Sequence, residues 1–391
     1  MSSYSEWQRG TNNRNFHILN SLLASPEIKR IVVVDFLPFT FHRAIRNWIE
    51  NIIGAPQQEL IYSDPTTRVR QINEKLIVFS TIDSFFSKKL VIKKLNSILE
   101  KLNDGPKQMK RVVISYFPMF IEYFGRLNED LNVFEAVDNW LAHPSYIKYQ
   151  EILKRNYQII SQKADLIFTV ANSLVDLFRQ LGRNKDIYWL PNGVDASHFI
   201  GADKVPFDMK KIKHPIIGYL GIIQDRLDFN LLEYVAEKNP DKSLVLVGPI
   251  WPQFFRSFRK APSEIRQLKK YKNVYFLGRK GYDAAPNYIH QFDVAIIPHQ
   301  VNEFVMSMNP MKLYDYLACG KPVVSTPMPA LGKFSHLIYF AQDYAGFQQN
   351  IEKALAENDA ERERLRIEAA RENSWQSKVD EIILKIKEKI K

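Results

Sequence analysis

Cysteine is almost absent from this 391-residue chain: Cys319 is the only one, so no disulfide can form within it. No apolar run approaches the roughly 18 residues that a membrane-spanning helix needs. The longest candidates, such as the run from Ile31 to Val34, have the length of a strand and end at a charged residue. The polar start, Met1 to Asn20, is unlike a signal peptide. We therefore expect a soluble protein of the reducing cytoplasm.

The motifs of several enzyme classes are also missing. The sequence has no His-Glu-x-x-His, no cysteine pair and no Asp-x-Asp at the end of a predicted strand, so we expect no metal site. No Gly-x-Gly-x-x-Gly follows a predicted strand, which weakens a dehydrogenase interpretation. The Walker A phosphate-binding loop is absent as well.

Positive charge is in excess, since 54 Lys and Arg against 43 Asp and Glu give a net charge of +11. Such a balance favours an anionic partner. Apolar residues at helical spacing interrupt a basic stretch from Lys88 to Arg111, so both an amphipathic helix on an anionic bilayer and a solvated surface helix fit it. Charge alone would also allow a nucleic acid. We expect no nucleic-acid partner, because the basic residues form no recognisable reading motif.

Strand-like apolar runs alternate with helical stretches along the whole chain, a pattern that predicts parallel sheets flanked by helices. The length and the 46% hydrophobic content favour two domains. The predicted strands are Ile31–Asp35, Leu60–Ser63, Leu76–Thr81, Arg111–Phe117, Val133–Val137, Leu166–Val170, Ile187–Leu190, Ile216–Leu220, Ser243–Val247, Val274–Leu277, Val294–Ile297, Pro322–Ser325 and Ile338–Phe340. The predicted fold class is α/β with two doubly wound, Rossmann-like halves.

The stretch from Asn309 to Val324 predicts a helix that holds an anion and leads into a buried strand. Asn309 suits the N-cap, Pro310 suits the first helical position, and Gly320 suits the stop, which gives a helix of about three turns. Lys312 adds a positive charge where the helix dipole already favours a phosphate. Asp315 lies one turn further on the same face and can accept hydrogen bonds from ribose hydroxyls.

This stretch, above all the phrase YLACGKPVVS, resembles the donor site of the group 1 type of GT-B glycosyltransferases. In the large retaining family of that fold, two acidic residues lie eight positions apart and the second binds the ribose. Asp315 matches the second, while the first falls on Ser307. The pattern NP-x-K-L-Y-[DE]-Y-L-A is similar to the teichuronic-acid and exopolysaccharide branch.

The resemblance implies how the chain is divided. The phrase PNGVD, Pro191 to Asp195, closes the N-terminal domain in these enzymes. We expect an acceptor-binding domain over residues 1–197 and a nucleotide-sugar domain over residues 198–371, with a cleft between them. A helix over residues 372–391, whose apolar residues form one stripe, is expected to cross back and pack on the N-terminal domain.

Further donor-site residues follow the strands of the second half. Gly221 lets backbone amides approach a phosphate, and Arg226 resembles the basic residue that neutralises the leaving nucleotide. A plain strand-to-helix turn capped by Asp228 is the alternative. By the same resemblance, Arg279 lies in a loop that reads the nucleotide base, and Gly248 lies at the neighbouring strand end.

On the acceptor side, Asp138 follows a predicted strand, where a catalytic carboxylate belongs in such folds. The phrase EAVDNW resembles the D-x-V-D-D-[WF] segment of the same branch, with Asn139 in place of the second acid. Asp138 would deprotonate the acceptor hydroxyl if the reaction inverts configuration, or orient it if the reaction retains configuration. An Asx-turn after the strand is the alternative. Trp7, Arg14 and His17 resemble the acceptor-facing opening of these enzymes.

The resemblance implies a metal-independent hexosyltransferase that needs no cofactor beyond a UDP- or GDP-sugar co-substrate. The acceptor would be lipid-linked or a polysaccharide in cell-envelope polysaccharide biosynthesis, and the enzyme would work in the cytoplasm or at the inner face of the plasma membrane. Two alternatives stay open: a sugar-nucleotide epimerase of similar fold, and a non-catalytic nucleotide-sugar-binding subunit. Ser307 in place of the expected acid motivates the second.

Overall fold

A computed structural model describes residues 4–8, 10, 12–35, 45, 49, 60–83, 86–102, 109–201, 204–250 and 263–390. Within these residues the chain forms three β-sheets with helices packed on them. Two four-stranded sheets belong to the first half of the chain, and one six-stranded sheet belongs to the second half. The predicted α/β class is confirmed.

The first half contains strands β1 to β8 and helices α1 to α6. The strands are Ile31–Asp35, Leu60–Ser63, Thr67–Gln71, Leu76–Thr81, Val112–Ser115, Leu131–Ala136, Leu166–Thr169 and Ile187–Trp189. The helices are Tyr4–Gln8, Arg14–Ala24, Lys88–Lys101, Gln150–Lys163, Asn172–Gln180 and Ala196–Phe199. Short 3-10 helices cover Pro118–Tyr123 and Pro144–Tyr149.

The two N-terminal sheets differ in how far they follow the predicted parallel pattern. The sheet of order β5-β6-β7-β8 is parallel throughout. In the sheet of order β1-β4-β3-β2, only β1 and β4 pair in parallel, while β3 runs antiparallel to both neighbours. Strand β3 was not predicted, because its alternation of Arg68 and Arg70 with Val69 hides it among polar residues. Val69 is nonetheless fully buried.

The second half contains strands β9 to β14 and helices α7 to α14. The strands are Ile216–Leu220, Ser243–Val247, Val274–Gly278, Val294–Ile297, Val323–Ser325 and Tyr339–Phe340. The helices are Phe229–Lys238, Ser263–Leu268, Ala285–His290, Glu303–Met306, Met311–Ala318, Tyr344–Leu355, Ala360–Glu372 and Trp375–Ile390. Short 3-10 helices cover Tyr282–Ala284 and Pro329–Phe334.

The C-terminal sheet is entirely parallel and has the order β11-β10-β9-β12-β13-β14. Alternate residues of its strands pack into different cores: Leu244 and Leu246 into one, Val245 and Val247 into the other. Both faces are therefore covered, as parallel sheets require. The order reverses between β9 and β12, and a crevice for ligands opens at such a reversal, beyond the carboxyl ends of the strands.

The last helix, α14, packs back on the first half of the chain, as predicted for residues 372–391. Trp375, Val379 and Ile382 share a buried cluster with Ile18 and Leu22 of α2. The apolar stripe along α14 is what makes this crossing stable, because it buries one face of the helix and leaves the charged face outside. The C-terminal segment thus ties the two halves together.

Gly218 in the middle of β9 should be intolerant of any side chain, because a Cβ there would overlap the ring of Phe292. We expect Gly218→Ala to lower the free energy of unfolding by about 1–3 kcal/mol through overpacking. Gly332→Ala is the matched control, since nothing lies within 4 Å of its added Cβ. Urea denaturation of both variants measures the difference, and equal midpoints would contradict the packing argument.

Candidate functional site

The anion-binding helix, α11, begins at Met311 and spans 8 residues, so it is shorter than predicted. Pro310 takes the N-cap position and offers no side-chain hydrogen bond. Asn309 does not cap the helix, because its Oδ1 accepts a hydrogen bond from the backbone N of Asn192 at 2.9 Å. Asn309 was predicted as the N-cap and Pro310 as the first helical residue, so both assignments are wrong by one position. The first amides of α11 have no side-chain cap, and such amides suit an anion.

Lys312 lies directly over the glycine turn that follows β9. A Cβ on Gly221 would come within 3.1 Å of the Lys312 Cε. The ammonium lies 5.1 Å above the ring centroid of Tyr219 and 3.4 Å from Nε2 of His299. Burial and, to a smaller extent, repulsion from Arg226 lower the pKa of Lys312 to about 7, while Asp315 opposes the shift. An anionic ligand here would favour the charged form.

Gly221 and Gly248 meet at the carboxyl ends of β9 and β10. Both have positive φ, 149° and 148°, and a Cβ on Gly248 would overlap the carbonyl oxygen of Gly221. The amide of Gly221 donates to the carbonyl of Val247 at 2.9 Å. Only glycine fits this close approach of two backbones. The arrangement leaves the strand ends open toward Lys312.

Arg226 lies in the turn between β9 and α7 and acts electrostatically on both halves of the protein. Its charge lowers the pKa of Lys312 and of Asp138, which belong to opposite domains. With its oxygen turned toward the guanidinium, the Gln224 amide accepts from Arg226 Nη2 at 2.7 Å. Asp228 caps α7 by accepting from the amide of Leu231 at 2.9 Å, so the alternative interpretation of this turn holds for Asp228.

Asp315 and Ser307, the pair expected at the donor, have different environments. Asp315 is partly exposed, and burial raises its pKa to about 7 while Lys312 opposes the shift. Ser307 is only 3% exposed, and its hydroxyl donates to the carbonyl of Phe304 at 2.7 Å. The Ser307 hydroxyl thus ends the short helix α10 and is already engaged. Asp315 keeps its carboxylate available for a ligand.

Asp138 and Asn139 follow β6 as predicted. Asp138 is partly exposed, and burial raises its pKa to about 6 while Arg226 opposes the shift. A carboxyl with a raised pKa suits a general base near neutral pH. Asn139 forms the Asx-turn, because its Oδ1 accepts from the amide of Leu141 at 3.2 Å. The Asx-turn is thus formed by Asn139 and not by Asp138, for which it had been the alternative, and the catalytic role of Asp138 stays a prediction.

Arg14 and His17 lie inside the protein, which corrects the expectation that they face an acceptor. Arg14 bonds to Glu135, and His17 stacks on Trp375 with ring centroids 5.0 Å apart. Burial lowers the pKa of His17 to about 4, so it is neutral near pH 7. Trp7 makes an edge contact with Phe16 at a centroid distance of 6.4 Å. Helix α2 must pack under α14, and this packing takes both side chains away from the surface.

Arg279 is exposed on the loop after β11, where the base-reading role was expected. A Cβ on Gly10 would lie 4.0 Å from its Nη2. The N-terminal segment therefore reaches this loop of the other domain.

Sequence reasoning missed His143, which joins the two sides of the cleft. Its ring stacks on Trp140 at 5.6 Å and meets Phe304 of α10 edge-on at 4.6 Å. Burial lowers the pKa of His143, with a smaller contribution from Arg226. His143 lies several residues beyond the end of β6, and no sequence pattern there predicts that it would reach the other domain. In the described part of the chain, no group of three His, Cys, Asp or Glu residues could hold a metal ion.

Comparison with known proteins identifies relatives of this chain. Residues 214–357 match the family described as glycosyl transferases group 1. The chain is 26% identical over 299 residues to the putative teichuronic acid biosynthesis glycosyltransferase TuaH of Bacillus subtilis (strain 168), covering 72% of this chain and 73% of that protein.

Solved structures show the same fold at low sequence identity. Anabaena Alr3699/HepE in complex with UDP and glucose superposes with a TM-score of 0.64 at 14% identity, covering 96% of this chain and 97% of that one. Sucrose-phosphate synthase from Thermosynechococcus elongatus superposes with a TM-score of 0.61 at 14% identity, covering 92% and 98%. The predicted two-domain GT-B fold is confirmed.

Proposed function

We propose that this chain, which is a group 1 glycosyltransferase with the GT-B fold, transfers a hexose from a UDP- or GDP-sugar to a lipid-linked or polysaccharide acceptor. The observation that carries the proposal is the position of Arg226. This one cation acts on Asp138 of the first domain and on Lys312 of the second. Both groups therefore lie within electrostatic range of Arg226, and the ring of His143 contacts that of Phe304 across the two domains at 4.6 Å. These observations support one cleft shared by the acceptor carboxylate and the lysine.

The donor half of the reaction depends on positive charge. Lys312, Arg226 and the start of α11 would bind the diphosphate, and Asp315 would accept from the ribose hydroxyls. As the bond between the anomeric carbon and the diphosphate oxygen breaks, negative charge grows on that oxygen, and the cations stabilise it. We propose that these groups serve in place of a metal ion.

The acceptor half depends on Asp138. The acceptor oxygen forms the new bond to the anomeric carbon as the bond to the diphosphate breaks. If configuration inverts, Asp138 takes the proton of the acceptor hydroxyl. If configuration is retained, Asp138 orients the hydroxyl and the proton passes to the departing diphosphate oxygen. Contacts across the cleft, such as His143 on Phe304, would exclude water and limit hydrolysis of the donor.

Two relatives support the choice of substrates: the name of TuaH refers to teichuronic acid, and HepE was solved with UDP.

Lys312→Ala should weaken UDP or GDP binding about tenfold or more, because a hydrogen bond to a charged group contributes about 1.5–3 kcal/mol. Isothermal titration gives the dissociation constants, and EDTA should leave them unchanged. Lys272→Ala, an exposed lysine of the same domain, is the control. Unchanged affinity in Lys312→Ala would place the phosphate site elsewhere.

The pH dependence of transfer should follow Asp138 and Lys312. In the free enzyme kcat/KM should rise as Asp138 loses its proton near a pKa of about 6, and fall as Lys312 loses its charge near about 7. Asp138→Asn should lower kcat by about 100-fold or more and remove the rise near pH 6. The pKa of Asp315 is also near 7, so Asp315 could cause a similar rise of kcat/KM. Loss of the rise in Asp138→Asn would assign it to Asp138. Full turnover of Asp138→Asn would exclude the acid-base role.

We also propose that the start of α3 docks on an anionic membrane. Phe86 is 68% exposed there, and Leu90, Lys89 and Lys93 are exposed beside it. Fewer lysines of the stretch from Lys88 to Arg111 are available to a membrane than the sequence suggests, because Lys94 pairs with Asp64 at 2.6 Å. Among the described residues, no helix is both long and apolar enough to cross a membrane. The exposed apolar and basic side chains at the start of α3 therefore suit attachment to the surface of a membrane.

Reversing two charges should test the docking surface. Lys89→Glu combined with Lys93→Glu should reduce binding to vesicles containing phosphatidylglycerol about tenfold or more, since each basic residue near such a surface contributes about 1 kcal/mol. Lys269→Glu combined with Lys272→Glu, on the other domain, is the control. Co-sedimentation measures both, and equal binding of the two double variants would refute the assignment.

A further inference from the structure

Four buried polar residues from distant parts of the chain form one continuous series of hydrogen bonds. They connect β6, the start of α2, the turn that closes the first domain and the residue before Pro310: Glu135, Arg14, Asn192 and Asn309. Their exposed fractions are 1%, 4%, 7% and 5%. We call this series the interdomain relay.

The first part of the relay is an ion pair. Arg14 Nε donates to Glu135 Oε1 at 2.8 Å, and Nη2 donates to the same oxygen. Withdrawing two charges from water costs free energy, which the attraction between them recovers only when the surrounding hydrogen bonds are good. The presence of the pair alone therefore does not show that it stabilises the fold. Its geometry instead fixes the position of α2 relative to β6.

The second part joins the ion pair to the donor helix. Arg14 Nη1 donates to Asn192 Oδ1 at 3.0 Å and to the carbonyl of Pro191 at 3.1 Å. The backbone N of Asn192 then donates to Asn309 Oδ1 at 2.9 Å, and its side-chain Nδ2 donates to the carbonyl of Asn309. Two hydrogen bonds between the same two residues fix both their distance and their orientation.

We propose that the interdomain relay positions Asp138 relative to Lys312 for sugar transfer. Glu135 lies three residues before Asp138, and Asn309 lies three residues before Lys312. The four relay residues are positioning residues, because they act through Asp138 and Lys312. This inference rests on the function proposed above. Its effect falls on transfer, which needs both domains, while nucleotide binding depends on the second domain.

Removing the Asn192–Asn309 contact is the direct test. Transfer is measured as UDP release from UDP-glucose, with a bacterial lipid extract as the acceptor. Asn192→Ala and Asn309→Ala should each lower kcat about tenfold or more, because a misplacement of 1 Å can cost roughly 100-fold. The dissociation constant for UDP should change by less than about threefold. The double variant should be no worse than the poorer single variant, because both remove the same contact.

Two controls separate positioning from folding. Asn239 is buried, but its amide donates to Val235 and Gln348 within the second domain, so Asn239→Ala should lower the Tm and keep kcat. Glu135→Gln keeps the accepting oxygen and the shape of the side chain. It should therefore retain more of kcat than Glu135→Ala, and it remains informative if the alanine variant fails to fold.

The outcomes are distinct. If Asn192→Ala and Asn309→Ala lower the Tm as Asn239→Ala does and keep kcat, the interdomain relay is only structural and the proposal fails. Loss of UDP affinity as large as in Lys312→Ala would also overturn it, since the contact would then belong to the donor site. If the unmodified protein transfers no sugar and binds no UDP or GDP, the proposed function fails, and this inference fails with it.

Discussion

The hydrogen bonds between Asn192 and Asn309 are the contact on which the arrangement of the two halves depends. They hold the turn that closes the first domain against the residue from which the donor helix departs. Gly193 allows this approach, because a Cβ there would lie 2.8 Å from the carbonyl oxygen of Asn373. Val194 and Ser374 then pair as a short bridge, from which α14 runs back over the first domain. This crossing point therefore joins the two halves beside the donor helix.

Burial shifts the pKa values of the charged groups that line the cleft. Asp138, Lys312 and Asp315 all have pKa values moved toward neutrality, and in each case removal from water is the main cause. Neighbouring charges only adjust these shifts. If the proposed diphosphate binds here, its negative charge would raise the pKa of Lys312 again and favour the charged form of the lysine.

Local patterns predicted much of the fold, and the failures have physical causes. The six strands that the structure describes in the second half were all predicted, because their apolar runs are continuous. Such runs are typical of buried parallel strands such as Ser243–Val247 and Val294–Ile297. Strand β3 was missed because its arginines mimic a solvated loop, although Arg70 is 5% exposed. Asn309 was assigned to a cap by its residue type, yet its side chain bonds to Asn192, 117 residues away.

The sequence by itself determined most of the elements and the spacing within them: one helical turn separates Lys312 from Asp315, and Asp138 follows a strand. These features depend on residues that are neighbours along the chain. Only the tertiary structure decided that Arg14 pairs with Glu135, that His143 meets Phe304, and that Ser307 is turned inward. Those contacts depend on which surfaces the folded domains bury together, and a local sequence pattern carries no record of that packing.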